Sequence, residues 1–167
     1  INAQDYYLWC QKGNFIKKYQ RSVSILGSAR FDEYNKYYKQ AHSLAGRIVR
    51  ELKYAIVTGG GPGIMEAANK GAFEENGVSL GFSIKLPDEQ KINKYVTEWV
   101  EFKYFFSRKT LIFFAAESYV YFPGGFGTLD ELFELVTLIQ TRKISRAPVI
   151  LVGSEFWNPI LALLKQK

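Results

Sequence analysis

Nine residues, Pro123-Gly124-Gly125-Phe126-Gly127-Thr128-Leu129-Asp130-Glu131, combine glycines, a hydroxyl and two carboxylates in one short stretch. They follow the apolar run Ser118-Tyr119-Val120-Tyr121-Phe122 and lead into Leu132-Phe133-Glu134-Leu135-Val136, so the spacing predicts strand, glycine turn and helix start. The first backbone N–H groups of a helix have no intrahelical acceptor, and the helix dipole places positive charge at the same end. Together they bind anions, phosphate above all. Glycine lets a phosphate reach the backbone with no Cβ in the way, and Thr128 adds a hydroxyl donor. Glu131 stands about one turn into the helix, where its charge works against phosphate binding alone. A carboxylate beside a phosphate cradle points to chemistry on the bound molecule.

A second cradle of this kind is Thr58-Gly59-Gly60-Gly61-Pro62-Gly63-Ile64-Met65-Glu66. Pro62 suits the first turn of a helix, where its missing N–H costs nothing. The spacing is not the dinucleotide fingerprint, because the third-glycine position holds Ile64 or Glu66, and neither turn ends in the Gly-Lys-Ser/Thr of a P-loop. Either turn alone reads equally well as a structural tight turn; two at strand ends in one small domain favour nucleotide-type binding. Ser107-Arg108-Lys109 adds two cations. With Ser107 read as an N-cap, they occupy a first helical turn, where the dipole disfavours them by about 0.3–1 kcal/mol each. A local rule broken in this way is expected at a functional site, and the planar donor fork of Arg108 suits a phosphate or ribose hydroxyls.

Other chemistries find little support. His42 is the only histidine, in a polar helical stretch with no cysteine or acid cluster at ligand spacing, so no metal site is expected. Cys10 has no histidine partner at a recognisable spacing, and no Gly-x-Ser-x-Gly elbow is present. The acids near the turns are Glu66, Asp130, Glu131 and Glu134. Asp130 and Glu131 point about 100° apart, so at most one faces a ligand squarely. Acids in a first helical turn often serve only to stabilise the dipole.

The elements that must position these groups alternate. Strands are expected at Val23–Leu26, Ala55–Val57, Val78–Ser83, 118–122 and Val149–Val152, and the segment Trp99–Phe102 carries no assigned element. Helices are expected at Tyr34–Leu52 (Leu44, Ile48 and Leu52 on one face), Ile64–Phe73, Ser107–Ala116, 128–141 and after Asn158-Pro159. This order implies a single α/β domain with a doubly wound parallel sheet, whose ligands bind at the carboxyl ends of strands. Three turns lie at such ends: 27–30, 59–63 and 124–128. Residues 1–21 read as an N-terminal helical extension and 22–167 as the domain. Leu111–Ala116 is apolar nearly all round, so the helix carrying it is covered by the core or by a partner subunit; Tyr104, Phe105 and Phe106 just ahead favour the subunit.

The formal charge of +6 favours anionic ligands, but the basic residues are scattered, with no continuous stripe, so nucleic acid is not an expected partner. No apolar run approaches the ~20 residues that cross a bilayer, so no membrane partner is expected either. A single cysteine fits a reducing compartment, and cytoplasm is the default location.

At residue level the chain resembles the Lonely-guy (LOG) family of phosphoribohydrolases. Residues 123–131 match its PGGxGTxxE signature, Arg108-Lys109 its upstream arginine–lysine pair, and the Gly59–Glu66 turn its GGGPGIME form, from the bacterial branch often labelled lysine decarboxylase. The resemblance spans Ser22 to Trp157 in order. It implies a Rossmann-like fold, a homodimer with the active site near the subunit contact, no cofactor, and hydrolysis of the N-glycosidic bond of cytokinin riboside 5′-monophosphates or AMP to free base and ribose 5-phosphate. Carried over by position, it implies Arg108 and Glu131 as the catalytic pair. Gly59, Gly60, Gly61, Gly63, Gly124, Gly125, Gly127 and Thr128 then hold the phosphoribosyl part, with Lys109, Glu66 and Thr137 lining the site. Glu66 is also a candidate for the acid that protonates the leaving base. The decarboxylase label finds no pyridoxal-phosphate lysine to support it.

Two readings remain open on the residues. Related Rossmann-like proteins carry nucleotides or molybdenum cofactor without cleaving a glycosidic bond, and such a carrier needs neither Arg108 nor Glu131. The base end is unplaced: Lys85–Thr97 could cover it, and Phe126 or Tyr104 could stack on it.

Overall fold

The computed structural model describes residues 19, 21–85 and 92–165. The expected extension over residues 1–21 lies outside the described residues apart from Tyr19 and Arg21, as does Cys10. In chain order the elements are β1 (Ser22–Leu26), α1 (Lys36–Arg47), β2 (Ala55–Thr58), α2 (Ile64–Glu74), β3 (Ser79–Ile84), β4 (Glu98–Phe102), α3 (Phe105–Ala115), β5 (Ser118–Tyr121), α4 (Phe126–Gln140), β6 (Val149–Leu151) and α5 (Ser154–Leu164).

The six strands form one all-parallel sheet in the order β4-β3-β2-β1-β5-β6. Parallel strands buried on both faces read as apolar runs, and β1 and β2 are buried throughout. Alternation splits their side chains between two cores. Val23, Ile25, Ile56, Val120 and Phe122 face α1 and α2. Leu26, Ala55, Val57, Tyr119 and Tyr121 face α3, α4 and α5. The chain leaves β1 toward β2, β3 and β4 on one side, then crosses back to lay β5 and β6 on the other. The order therefore reverses between β1 and β5, and a crevice opens beyond their carboxyl ends. This is the single-domain, doubly wound α/β fold expected, with five α-helices among the described residues.

Several boundaries differ from the sequence-based expectations. Helix α1 starts at Lys36 behind an Asn35 cap, whose side chain accepts the Tyr37 N–H at 2.8 Å, and beyond Arg47 it widens into a π-helical turn over Ile48–Leu52. The buried stripe is Tyr37, Tyr38, Ala41, Ala45 and Val49, with Leu44 and Ile48 at its edge. The wider turn carries Leu52 off that face into solvent. Helix α3 begins at Phe105, behind an extended Tyr104 that makes no side-chain cap. Ser107 is therefore its third residue and Arg108 its fourth, so the two cations do not sit at the first N–H groups. Helix α5 starts at Ser154 and contains Pro159 as its sixth residue. Buried Trp157, whose indole N–H donates to the Val152 carbonyl at 2.9 Å, anchors the helix and offsets the lost backbone bond.

Apolar α3 is half covered. Leu111, Ile112, Phe113 and Ala115 are buried in the core, whereas Phe105, Phe106 and Phe114 are exposed, as are Phe133 and Val136 on α4. Core packing accounts for one face only.

Helices α1 and α2 touch backbone to backbone at Gly71, where a Cβ would overlap the His42 carbonyl. Gly71→Ala is expected to cost about 1–3 kcal/mol, as forced overpacking does. A denaturant midpoint shift at unchanged slope would show it, and an unchanged midpoint would refute the close approach.

Candidate functional site

Three turns meet in the crevice, and backbone bonds stitch them together. The Ser28 N–H donates to the Pro123 carbonyl at 3.0 Å, and the Ile64 N–H donates to the Ser28 carbonyl at 3.0 Å. Ser28 thus ties the turn after β1 to those after β5 and β2. The packing requires glycine at the joints. Gly63 has φ 71°, and a Cβ there would overlap the Ser28 carbonyl. A Cβ on Gly124 would overlap the Thr128 side chain.

The resulting cleft has a volume of about 620 Å³, within the range of small-molecule sites. One wall is the first turn of α4. The first intrahelical bond of that helix runs from the Leu129 N–H to the Gly125 carbonyl at 3.1 Å, so the amides of Phe126, Gly127 and Thr128 precede the ladder. Gly125, Gly127 and Thr128 line the cleft there, and Phe126 stands at its mouth, 94% exposed. Gly59, Gly60 and Gly61 form the opposite wall.

Arg108 and Glu131 meet between the walls. Both are nearly buried, at 7% and 8% exposure, and Arg108 Nη1 lies 2.9 Å from Glu131 Oε1. Arg108 Nε donates to the Phe82 carbonyl within β3 at 2.7 Å. Its Nη2 fills the space beside Gly59 that a Cβ would otherwise occupy. Burial pushes the Glu131 carboxyl above the usual carboxylate range, against the pull of the Arg108 guanidinium. Tyr121 donates to the Glu131 backbone carbonyl at 3.2 Å, and burial, with Glu131 nearby, raises its phenol.

Of the residues expected at the site, Arg108, Glu131, Gly59, Gly60, Gly61, Gly125, Gly127 and Thr128 line this cleft together. Gly63 and Gly124 lie behind its walls as packing joints. Lys109 instead ties α3 to α4 through Asp130 at 2.9 Å and Glu134. Burial alone would lower its ammonium, but the two carboxylates hold it above its ordinary value. Glu66 accepts a bond from the Tyr38 hydroxyl at 3.4 Å, and Thr137 is exposed, donating to the Phe133 carbonyl at 2.7 Å. None of these three is on the cleft wall, nor is Tyr104.

Sequence reasoning missed other wall residues. Ser28, Ala29 and Arg30 line the cleft, Arg30 being its second cation among the described residues, and their place at a strand end was the available signal. Met65, Ile84, Ile92 and Phe105 add apolar side chains to the wall and Ser83 a hydroxyl, and none carries a local signature. Among the described residues no group of three or more histidine, cysteine or acidic side chains could hold a metal, and no helix is long and apolar enough to cross a membrane.

Comparison with known proteins agrees with the geometry. Residues 65–167 match the model of a family described as "Possible lysine decarboxylase". A cytokinin riboside 5′-monophosphate phosphoribohydrolase from Rhodococcoides fascians is 24% identical over 151 residues, spanning 87% of this chain and 74% of the relative. Among solved structures, the molybdenum cofactor carrier protein of Chlamydomonas reinhardtii superposes with a TM-score of 0.63 at 24% identity, over 86% of this chain and 84% of that one. The molybdenum cofactor binding protein of Rippkaea orientalis gives 0.63 at 22%, over 86% and 82%. These two likenesses bear on the fold. The family match covers more than half of the chain and includes Arg108 and the whole 123–131 turn; the protein therefore belongs to this "possible lysine decarboxylase" family, the LOG family.

Proposed function

We propose that this protein hydrolyses the N-glycosidic bond of adenine-type nucleoside 5′-monophosphates, releasing free base and ribose 5-phosphate. The observation that carries the reading is the buried Arg108–Glu131 pair set between two glycine-rich turns that wall the cleft. The 5′-phosphate would bind the exposed amides at the start of α4, helped by the cation of Arg30. It supplies binding energy remote from the reacting bond, which holds the sugar against Glu131. As the C1′–N bond breaks, its electron pair leaves with the base and positive charge develops on the ribose ring, as in glycoside hydrolysis. The Glu131 carboxylate stabilises that charge, water adds at C1′, and the proton that water loses balances the one the departing base takes up. Arg108 keeps the carboxylate oriented and ionised in a buried place. Ile84, Ile92 and Phe105 would offer the base an apolar wall.

Membership of a family whose description names a decarboxylase does not redirect this reading, because lysine decarboxylation needs an aldehyde cofactor on a lysine, and among the described residues no lysine lines the cleft. A nucleotide or molybdenum-cofactor carrier is the rival reading, and turnover separates the two. Glu131→Gln keeps shape and the bond from Arg108 but removes the charge. It is expected to lower kcat by about 10²–10⁴-fold while AMP still binds in calorimetry. Binding without release of adenine by the unaltered protein would favour the carrier.

The pH profile gives a second test. The carboxylate must be ionised, and burial raises its pKa, so kcat/KM is expected to fall as pH drops through a value above the ordinary ~4.3 of a glutamate. A limb at or below that value would contradict the role given to burial.

The exposed aromatic face of α3 and α4 reads as the contact of a homodimer, since clustered apolar side chains of this size mark association surfaces. Phe105 belongs both to this face and to the cleft wall, so a second copy would border the site. In sedimentation at micromolar concentration a dimer is expected, and Phe106→Asp should give monomer. A monomeric unaltered protein would refute the contact.

A further inference from the structure

The 59–61 turn is not held by its own backbone. Thr58, Asn69 and Ser79 are fully buried beneath it. The Thr58 hydroxyl accepts the Gly60 N–H at 2.9 Å and donates to Asn69 Oδ1 at 2.7 Å, while Asn69 Nδ2 donates to Ser79 Oγ at 2.7 Å. Asn93, in the connection entering β4, closes this network from the other side. Its backbone N–H donates to the Gly60 carbonyl at 2.9 Å. Its side-chain Nδ2 is shared among the Gly60 carbonyl at 3.1 Å, the Gly61 carbonyl at 3.0 Å and Asn69 Oδ1 at 2.9 Å. Its Oδ1 accepts the Tyr95 N–H at 3.2 Å, which fixes the orientation of the amide.

These bonds have a directional consequence. The Gly60–Gly61 peptide is trans, so the Gly61 N–H points opposite to the Gly60 carbonyl. With that carbonyl held on Asn93, the Gly61 N–H is turned to the other side of the turn. Gly60 and Gly61 line the cleft, and Asn93 does not. Of Gly60, Gly61 and Pro62, the Gly60 N–H is already occupied by Thr58 and Pro62 has none, which leaves the Gly61 N–H. Asn93 also follows Ile92 directly, and Ile92 is on the cleft wall. We infer that Asn93 is a positioning residue: through the Gly60 and Gly61 carbonyls it aims the Gly61 N–H at an anionic or hydroxyl group of the bound nucleotide, and it fixes the Ile92 wall in register with that amide. The inference rests on the nucleotide reading of the cleft.

The test uses AMP as the probe and Glu131→Gln protein as the non-cleaving parent, labelled with 15N-glycine. On adding AMP, the parent is expected to show a large shift of the Gly61 amide. Asn93→Ala and the near-isosteric Asn93→Asp, which lacks the donor, should bind AMP about tenfold more weakly, the loss expected for one misaimed hydrogen bond to a charged group. Their Gly61 shift should be lost, and in protein that keeps Glu131 they should raise KM more than they lower kcat. Unchanged affinity and an unchanged Gly61 shift in either folded variant would overturn the inference. So would a parent that binds AMP with its Gly61 amide unmoved, whatever the variants do. A parent that does not bind AMP at all would overturn the nucleotide reading, and the inference with it.

Discussion

A charge is costly to bury unless it is paired and hydrogen-bonded, and this fold buries two at once in Arg108 and Glu131. The guanidinium is the hub of the arrangement. It grows from α3, bonds β3 through the Phe82 carbonyl, pairs with α4 through Glu131, and occupies the space left by Gly59 after β2. Removing it would strand a buried carboxylate, a loss of about 3–5 kcal/mol in comparable buried pairs. The glycine at position 59 and the Lys109 pairs with Asp130 and Glu134, which tie α3 to α4, serve to keep that one fork in place. A fold needing only to hold a phosphate could do so with the α4 amides alone. The pair is the part that phosphate binding does not explain.

The cleft divides its work between backbone and side chains. Backbone amides at the start of α4 and at Gly61 offer fixed positive ends without mobile charge, and three interlocked turns keep them from moving. Among the described residues, Glu131 contributes the one negative charge on the wall. A site with donors at its ends and one carboxylate at its centre suits a molecule that is anionic at one end and becomes cationic in the middle as it reacts. The family includes members described by a decarboxylase name, and the fold is shared with proteins that carry a cofactor. Fold alone does not choose among these activities; the groups on the wall do.

Much of this was legible in the sequence because it is local chemistry. Strand, glycine turn and helix start are encoded within about ten residues, so the turns at 59–63 and 124–128 and their place at strand ends could be read directly. Features set by tertiary contact were not legible. The start of α3 carries no capping side chain, so Ser107 attracted the boundary although packing places it at Phe105. Pro159 looked like a helix start, yet Trp157 anchors a helix that runs through it. Lys109 and Arg108 are neighbours in sequence, but one helical step sends Lys109 to Asp130 and Glu134 and Arg108 to the cleft. Asn93, more than thirty residues from the turn it holds, has no signature at all in one dimension.

The account stands on the claim that the Arg108–Glu131 cleft cleaves a glycosidic bond with water. The most direct measurement is mass spectrometry of the products formed by the unaltered protein from AMP, and from its N6-isopentenyl analogue, in ¹⁸O-labelled water. The account predicts free base together with ribose 5-phosphate carrying one ¹⁸O at C1′ from at least one of the two. Both nucleotides bound and recovered intact, or ribose 5-phosphate without the label, would contradict it.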